Sequence, residues 1–259
     1  MKILLQYWKL NFLSLMEYKV SFLIQIFWMI LNDILFVSVR YMFFLKFWSI
    51  WWMVFWDFAL MMSIVVIIFA GIHIFFWWYS NIWILIEQWK LDSHLLLPKN
   101  ILLRLVSSNM MISAFWDLLF VFILLYFVPN ITFILIFKMV LLSTLWIFTF
   151  LWFLLIFASF HFFLWSSKNI LKWMFEAVLW STHYPPSIFE WTILKYIFMT
   201  ILPAYFVVFL PYELVVNFDL LWFLKLLFVS LLFLFLWIFT FYRGLRRYES
   251  GNMMNTKGL

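Results

Sequence analysis

Six stretches of about twenty mostly apolar residues run through this chain, and each is long enough to cross a hydrocarbon layer as a helix. That feature excludes most soluble folds. Hydrophobic residues make up 69% of the 259 positions and charged residues only 11%. A soluble domain of this length leaves roughly a quarter of its unfolded surface wet, too much for a chain with so few polar side chains to cover. The expected fold class is all-α: a polytopic membrane protein with six transmembrane helices.

No polar stretch is long enough for a separate catalytic or nucleotide-binding domain, so residues 1–259 read as a single transmembrane domain. The net charge of +6 does not imply a nucleic-acid partner. Its Lys and Arg flank the apolar stretches, where they meet the headgroups of membrane lipids. Without cysteine, disulfides, thiol catalysis and Cys metal sites are excluded. Residues 1–16 are too short to span, and with Lys2, Gln6, Lys9 and Asn11 in the apolar run they do not resemble a cleavable signal. Lys2, Gln6 and Lys9 share one helical face, which predicts an amphipathic helix lying in the interface. The abundance of Trp (19) and Phe (37) reads as interfacial anchoring and packing.

The expected spans are residues 20–39, 58–79, 108–128, 139–165, 192–211 and 221–242. Arg40, Lys46 and a Trp-rich turn (Trp48, Trp51, Trp52, Trp56) follow the first, and Pro129-Asn130 closes the third. With the N-terminus in the cytoplasm, only Arg40, Lys46, Lys138 and Lys225 of the 17 Lys and Arg fall outside, as the positive-inside rule requires. Both termini are then cytoplasmic. So are the two long connections, 80–107 and 166–191, and connections of that length usually carry function.

The four glycines begin no G-x-x-x-x-G-K-[ST] run, so the chain does not hydrolyse ATP through a P-loop. His73, His94, His161 and His183 lie in separate segments without metal-ligand spacing, and no G-x-S-x-G elbow occurs. Asp33 and Asp117 fall inside spans. Each reads either as part of a cation or proton path or as a protonated or hydrogen-bonded contact between helices. Glu213 and Asp219 read as solvated residues of an outer turn. In the 80–107 connection, Glu87 to Asp92 is competent to form a helix, Trp89 can anchor at the interface, and Pro98 stops the element. A short helix parallel to the membrane there would offer a docking surface to a cytoplasmic partner; the alternative is an ordinary interfacial connector.

Three ordered pieces carry a family resemblance. The first is Leu91-Asp92-Ser93-His94-Leu95-Leu96-Leu97-Pro98. The second is Tyr184-Pro185-Pro186-Ser187-Ile188-Phe189, followed by Leu202-Pro203-Ala204-Tyr205 through Leu210-Pro211. The third is the tail Arg243-Gly244-Leu245-Arg246-Arg247-Tyr248-Glu249-Ser250-Gly251. With Tyr18 and Phe22, this set resembles the ABC-2 family of transporter permeases over essentially the whole chain. Lys90 departs from it, standing where the family often has Gly before the Leu-Asp pair.

The resemblance implies the ABC-2 type permease fold and a subunit of an ATP-driven transporter, expected to be an exporter in the bacterial cytoplasmic membrane. It implies partners: an ABC ATP-binding subunit and a second permease, identical or different. ATP and Mg would sit on the partner ATPase, with no cofactor, metal or catalytic residue on this chain. ATPase coupling is expected through Glu87, Trp89, Leu91, Asp92, Leu95 and Pro98. The rival readings are a membrane-embedded lipid-modifying enzyme and a non-catalytic membrane scaffold.

Overall fold

The computed structural model describes residues 9–10, 13–14, 17, 19–50, 53–76, 82–87, 90–96, 101, 105, 111, 114–164, 168–181 and 205–248. Helix α1 spans Lys19–Phe47 and is followed by a two-residue antiparallel pair, β1 (Ser49–Ile50) and β2 (Met53–Val54). Then come α2 (Phe55–Phe76), α3 (Ile82–Glu87), α4 (Asp92–Leu95), α5 (Phe115–Tyr126) and α6 (Phe133–Ser159), which tightens into a 3-10 turn at Phe160–Phe162. After α7 (Lys168–Ser181), a π-turn at Tyr205–Phe209 leads into α8 (Leu210–Val216), and α9 runs from Leu220 to Leu245.

Four of these helical stretches are long and apolar enough to cross a membrane: 19–47, 55–76, 133–162 and 220–245. The expected third span is represented by the twelve residues of α5, and its opening residues, like 192–204 of the expected fifth span and all but a few residues of 1–16, lie outside the described residues. The chain is therefore a multi-pass, mostly helical membrane protein.

Helix α2 forms the centre. In its most apolar window 72% of residues are buried by protein, against 6% for α1 and 17% for α9. Its apolar residues point in every direction, as expected of a helix enclosed on all sides. It packs on α5 and α6, while α6 makes its most extensive contact with α9. Trp152 of α6 and Trp237 of α9 stack at 5.2 Å, and Phe153 meets Phe233 at 5.9 Å. Small residues allow close approach: a Cβ placed on Gly71 of α2 would lie 2.3 Å from Ile147 Cδ1 of α6. Phe175 of α7 reaches Phe69 of α2 and Phe150 of α6, at 5.5 and 6.0 Å. The outer faces of α1, α5 and α9 carry exposed Leu, Ile and Phe, the surface a bilayer covers.

Helices α6 and α9 both have capped N-termini. Thr132 Oγ1 accepts from Leu135 N at 3.2 Å, and Asp219 Oδ1 accepts from Leu221 N and Trp222 N at 2.7 and 3.2 Å. The expected turn at Pro129-Asn130 forms, and Asn130 takes φ 55°, a conformation that Asn tolerates better than most residues. The first span differs from its expected end at residue 39. It continues helically through Arg40 and Lys46, because each cation has an aromatic face within its own helix: Arg40 over Phe36 at 5.1 Å and Lys46 over Phe47 at 5.6 Å.

Candidate functional site

At one end of the bundle, α6 and the 3-10 turn that closes it meet the short helix α3, and the same 3-10 turn meets α9. Helix α3 is held by Ile82 and Ile86, both buried in the core. Its chain is then turned back by two bonds to one acceptor: Lys90 N and Leu91 N both donate to Leu85 O, at 2.9 and 3.1 Å. Leu91 is completely buried. With that anchor in place, His94 N and Leu95 N return to Leu91 O, and Leu96 N bonds Asp92 O, closing the single turn of α4.

The expected helix over Glu87 to Asp92 is not continuous: α3 is described to Glu87, Lys90 and Leu91 lie in a turn, and α4 starts at Asp92. The doubly used Leu85 carbonyl is what turns the chain at Lys90 and Leu91. Lys90, which stands in place of the family's Gly, occupies the turn itself. The turn presents an apolar tip: Leu95 is 43% exposed and Leu96 85% exposed. Of the six residues expected to form this site, Leu91 is the anchor, Asp92 opens α4, Leu95 is at the tip and Glu87 closes α3. Trp89 and Pro98 lie outside the described residues.

The end of α9 docks beside this turn. Gly244 presses against Phe162 of the 3-10 turn so closely that a Cβ there would lie 2.5–2.7 Å from three Phe162 carbons. Phe162 also meets Phe241 edge-on at 5.7 Å and Tyr248 edge-on at 6.3 Å. Backbone bonds from Arg247 N to Gly244 O and from Tyr248 N to Leu245 O carry the helical turn past Leu245 and place Tyr248. Arg247 lies over the Phe163 ring at 5.2 Å.

The Tyr248 hydroxyl is enclosed near the Asp92 carboxylate. Burial first, and then the Asp92 charge, push the phenol up to about 12 from an ordinary 10.0. Two motifs far apart in the sequence therefore lie near each other. Neither Tyr248 nor the exposed Leu96 was singled out from sequence as a site residue. Leu96 was visible only as one of three consecutive leucines. Tyr248 was visible only as part of the tail motif.

Asp33 and Asp117 stand apart from this end. Asp33 is near the middle of α1 and Asp117 is in the first turn of α5, and these helices pack together. The enclosed Asp33 Oδ2 has no protein donor among the described residues. At the opposite end of the bundle, Tyr205 donates to Glu213 Oε2 at 3.2 Å. Burial, then the nearby Asp57 carboxylate, raise the Tyr212 phenol. Asp219 is exposed and serves as the cap of α9, while Glu213 is half-buried rather than fully solvated. Among the described residues, no three His, Asp or Glu side chains gather as a metal site.

A family model described as ABC-2 family transporter protein matches residues 34–252. Comparison with curated proteins and with solved structures gives no match. The match begins within α1 and ends just beyond Tyr248, so it takes in α2 to α9 and both motifs of the docked end. The chain belongs to the ABC-2 family of transporter proteins: it is a membrane-embedded permease of a transport system.

Proposed function

We propose that this ABC-2 family permease is one half of the translocation path of an ATP-driven exporter, working with a second permease subunit and with separate ATPase subunits. ATP and Mg²⁺ belong to the ATPase partner. Closure of the ATPase pair on ATP pushes the α3–α4 turn from the cytoplasmic side, and the bundle passes that push to the spans. Glu87, Trp89, Leu91, Asp92, Leu95 and Pro98 form or flank this contact. Both termini are cytoplasmic in this reading, as the charge distribution demands.

One observation carries the proposal. Within the family match, the α3–α4 turn combines a fully buried anchor, Leu91, with an apolar tip, Leu95 and Leu96, that the protein leaves uncovered. A connector with no partner has no use for a rigid base under an exposed apolar tip. An element that receives a mechanical push needs both, because the base transmits the movement and the tip seats in the partner. Asp33 and Asp117 sit where α1 meets α5, which suits a polar contact made by cargo or by the second permease within the membrane.

The test is co-purification. The ATPase subunit is expected to be retained on the wild-type permease and released by Asp92→Ala combined with Leu95→Ala. Full retention by that double variant, correctly inserted in the membrane, overturns the coupling role.

A further inference from the structure

Among the described residues, two that are not glycine take a positive φ. One is Asn130, a residue type suited to that conformation. The other is Trp48, with φ 55°, directly after the last residue of α1. Its N–H donates to Phe44 O at 2.7 Å. That is the single bond of a left-handed helix stop, and Trp48 stands where glycine usually does. A bulky side chain there crowds its own backbone, so something must offset the strain.

The packing of the indole does not offset it. Trp48 is 75% exposed, and among the described residues its ring meets no other aromatic ring and its indole N–H has no acceptor. Trp146 and Trp237, by contrast, are buried in the bundle. Depth in the bilayer supplies the missing partner. At 1.5 Å per residue, Trp48 lies about 22 Å from Asp33, which is near the middle of α1. Half of a hydrocarbon core is about 15 Å, and the headgroup region carries the half-thickness to about 20–22 Å. A helix centred in the bilayer therefore delivers Trp48 to the headgroup layer. Its neighbours suit that layer: Leu45 and Phe47 are exposed apolar residues, and the Lys46 ammonium lies over the Phe47 ring at 5.6 Å.

We propose that Trp48 is a lipid-interface anchor: the left-handed stop of α1 turns its indole out of the protein and into the headgroup layer, where an amphipathic ring is favoured. Lys46, one residue before Phe47, meets the lipid phosphates beside it. Together they fix how deep α1 sits. The helix needs such a hold, because protein buries hardly any of its most apolar window. Fixing α1 also fixes the depth of Asp33. The anchor is independent of the coupling reading above, which uses the α3–α4 turn.

The experiment uses the absence of cysteine, which lets one introduced cysteine carry a nitroxide label. The full-length permease is placed in vesicles of phosphatidylethanolamine and phosphatidylglycerol. Label depth is read from collisions with oxygen, which favours acyl chains, against those with a water-soluble nickel chelate. A label on Trp48→Cys is expected at headgroup depth. A label reached by the chelate as freely as in bulk water overturns the anchor, and so does one shielded from both reagents by a second protein surface. A label on Ser49→Cys, an exposed position, then compares Trp48 with Trp48→Tyr and Trp48→Gly. Glycine fits the left-handed position without strain, so that variant keeps the helix stop and loses only the ring. The Ser49→Cys label is expected to move by about 3 Å or more in Trp48→Gly, the rise of two helical residues, and to stay in place in Trp48→Tyr, whose ring also favours the interface. An unmoved label in Trp48→Gly overturns the proposal.

Discussion

Replacing Gly244 by alanine tests whether α9 truly lies against the 3-10 turn. The new Cβ would fall 2.5 Å from Phe162 Cδ2, 2.6 Å from Cγ and 2.7 Å from Cβ. Ordinary contacts lie near 3.5–4 Å. Phe162 must therefore retreat by about 1 Å, and it cannot do so by a side-chain rotation, because its own Cβ is among the crowded atoms. Overpacking of this kind costs about 1–3 kcal/mol. Loosening the edge contacts of Phe162 with Phe241 and Tyr248 adds about 0.5–1 kcal/mol. Alanine returns about 1 kcal/mol through its better helix propensity. The net expectation is a loss of about 0.5–3 kcal/mol.

Gly71→Ala is the control. There the nearest atom is Ile147 Cδ1, the far end of a flexible side chain, at 2.3 Å, with Cγ1 at 2.9 Å. Ile147 can turn away, and the helix gain offsets much of the remaining strain, so the net change should stay within about 1 kcal/mol. Thermal unfolding in one detergent reads both: Gly244→Ala should melt several degrees below wild type and below Gly71→Ala. A Gly244→Ala protein that melts at or above both would refute the close approach and the energetic reasoning together.

Trp237→Ala should destabilise by about 3–5 kcal/mol, since a nearly buried indole stacked on Trp152 is lost; an unfolding midpoint unchanged in thermal melts would contradict this. Asp219→Ala removes the acceptor for two N–H groups at the start of α9 and should cost about 1 kcal/mol, seen as faster amide exchange at Leu221 and Trp222. The Tyr248 phenol is raised in the folded state from 10.0 to about 12, so its contribution to stability is complete below pH 10 and disappears as pH rises through 12. An ultraviolet difference titration of wild type against Tyr248→Phe should accordingly show one tyrosine ionising late, in that window; a difference signal centred at pH 10 would show that the hydroxyl is not enclosed beside Asp92.

Much of the architecture is legible from the sequence because it is set locally. Pro129-Asn130 marks a real turn, and unbroken apolar runs mark α2, α6 and α9. Charge misleads at the end of α1: Arg40 looks like a boundary, but an aromatic residue one turn away lets it remain helical. The pairing of Ser49 with Val54 and of Ile50 with Met53 hides in a Trp-rich segment that shows no alternating pattern. At the candidate site, the Leu91-Asp92 motif identifies the turn, since Leu91 is apolar and Asp92 favours a helix start. What it could not supply is the division of Glu87–Asp92 into two helices, which depends on a carbonyl shared by Lys90 and Leu91, or the meeting of Asp92 with Tyr248. The second depends on how closely α9 approaches Phe162, and that distance belongs to the packed protein rather than to either segment.

Helix α1 has 29 residues, about 43 Å of helix, yet a hydrocarbon layer is about 30 Å thick. It can lean in the layer or carry Arg40 and Lys46 out among the headgroups, and within this chain only its contacts with α2, α5 and β1 hold it in place.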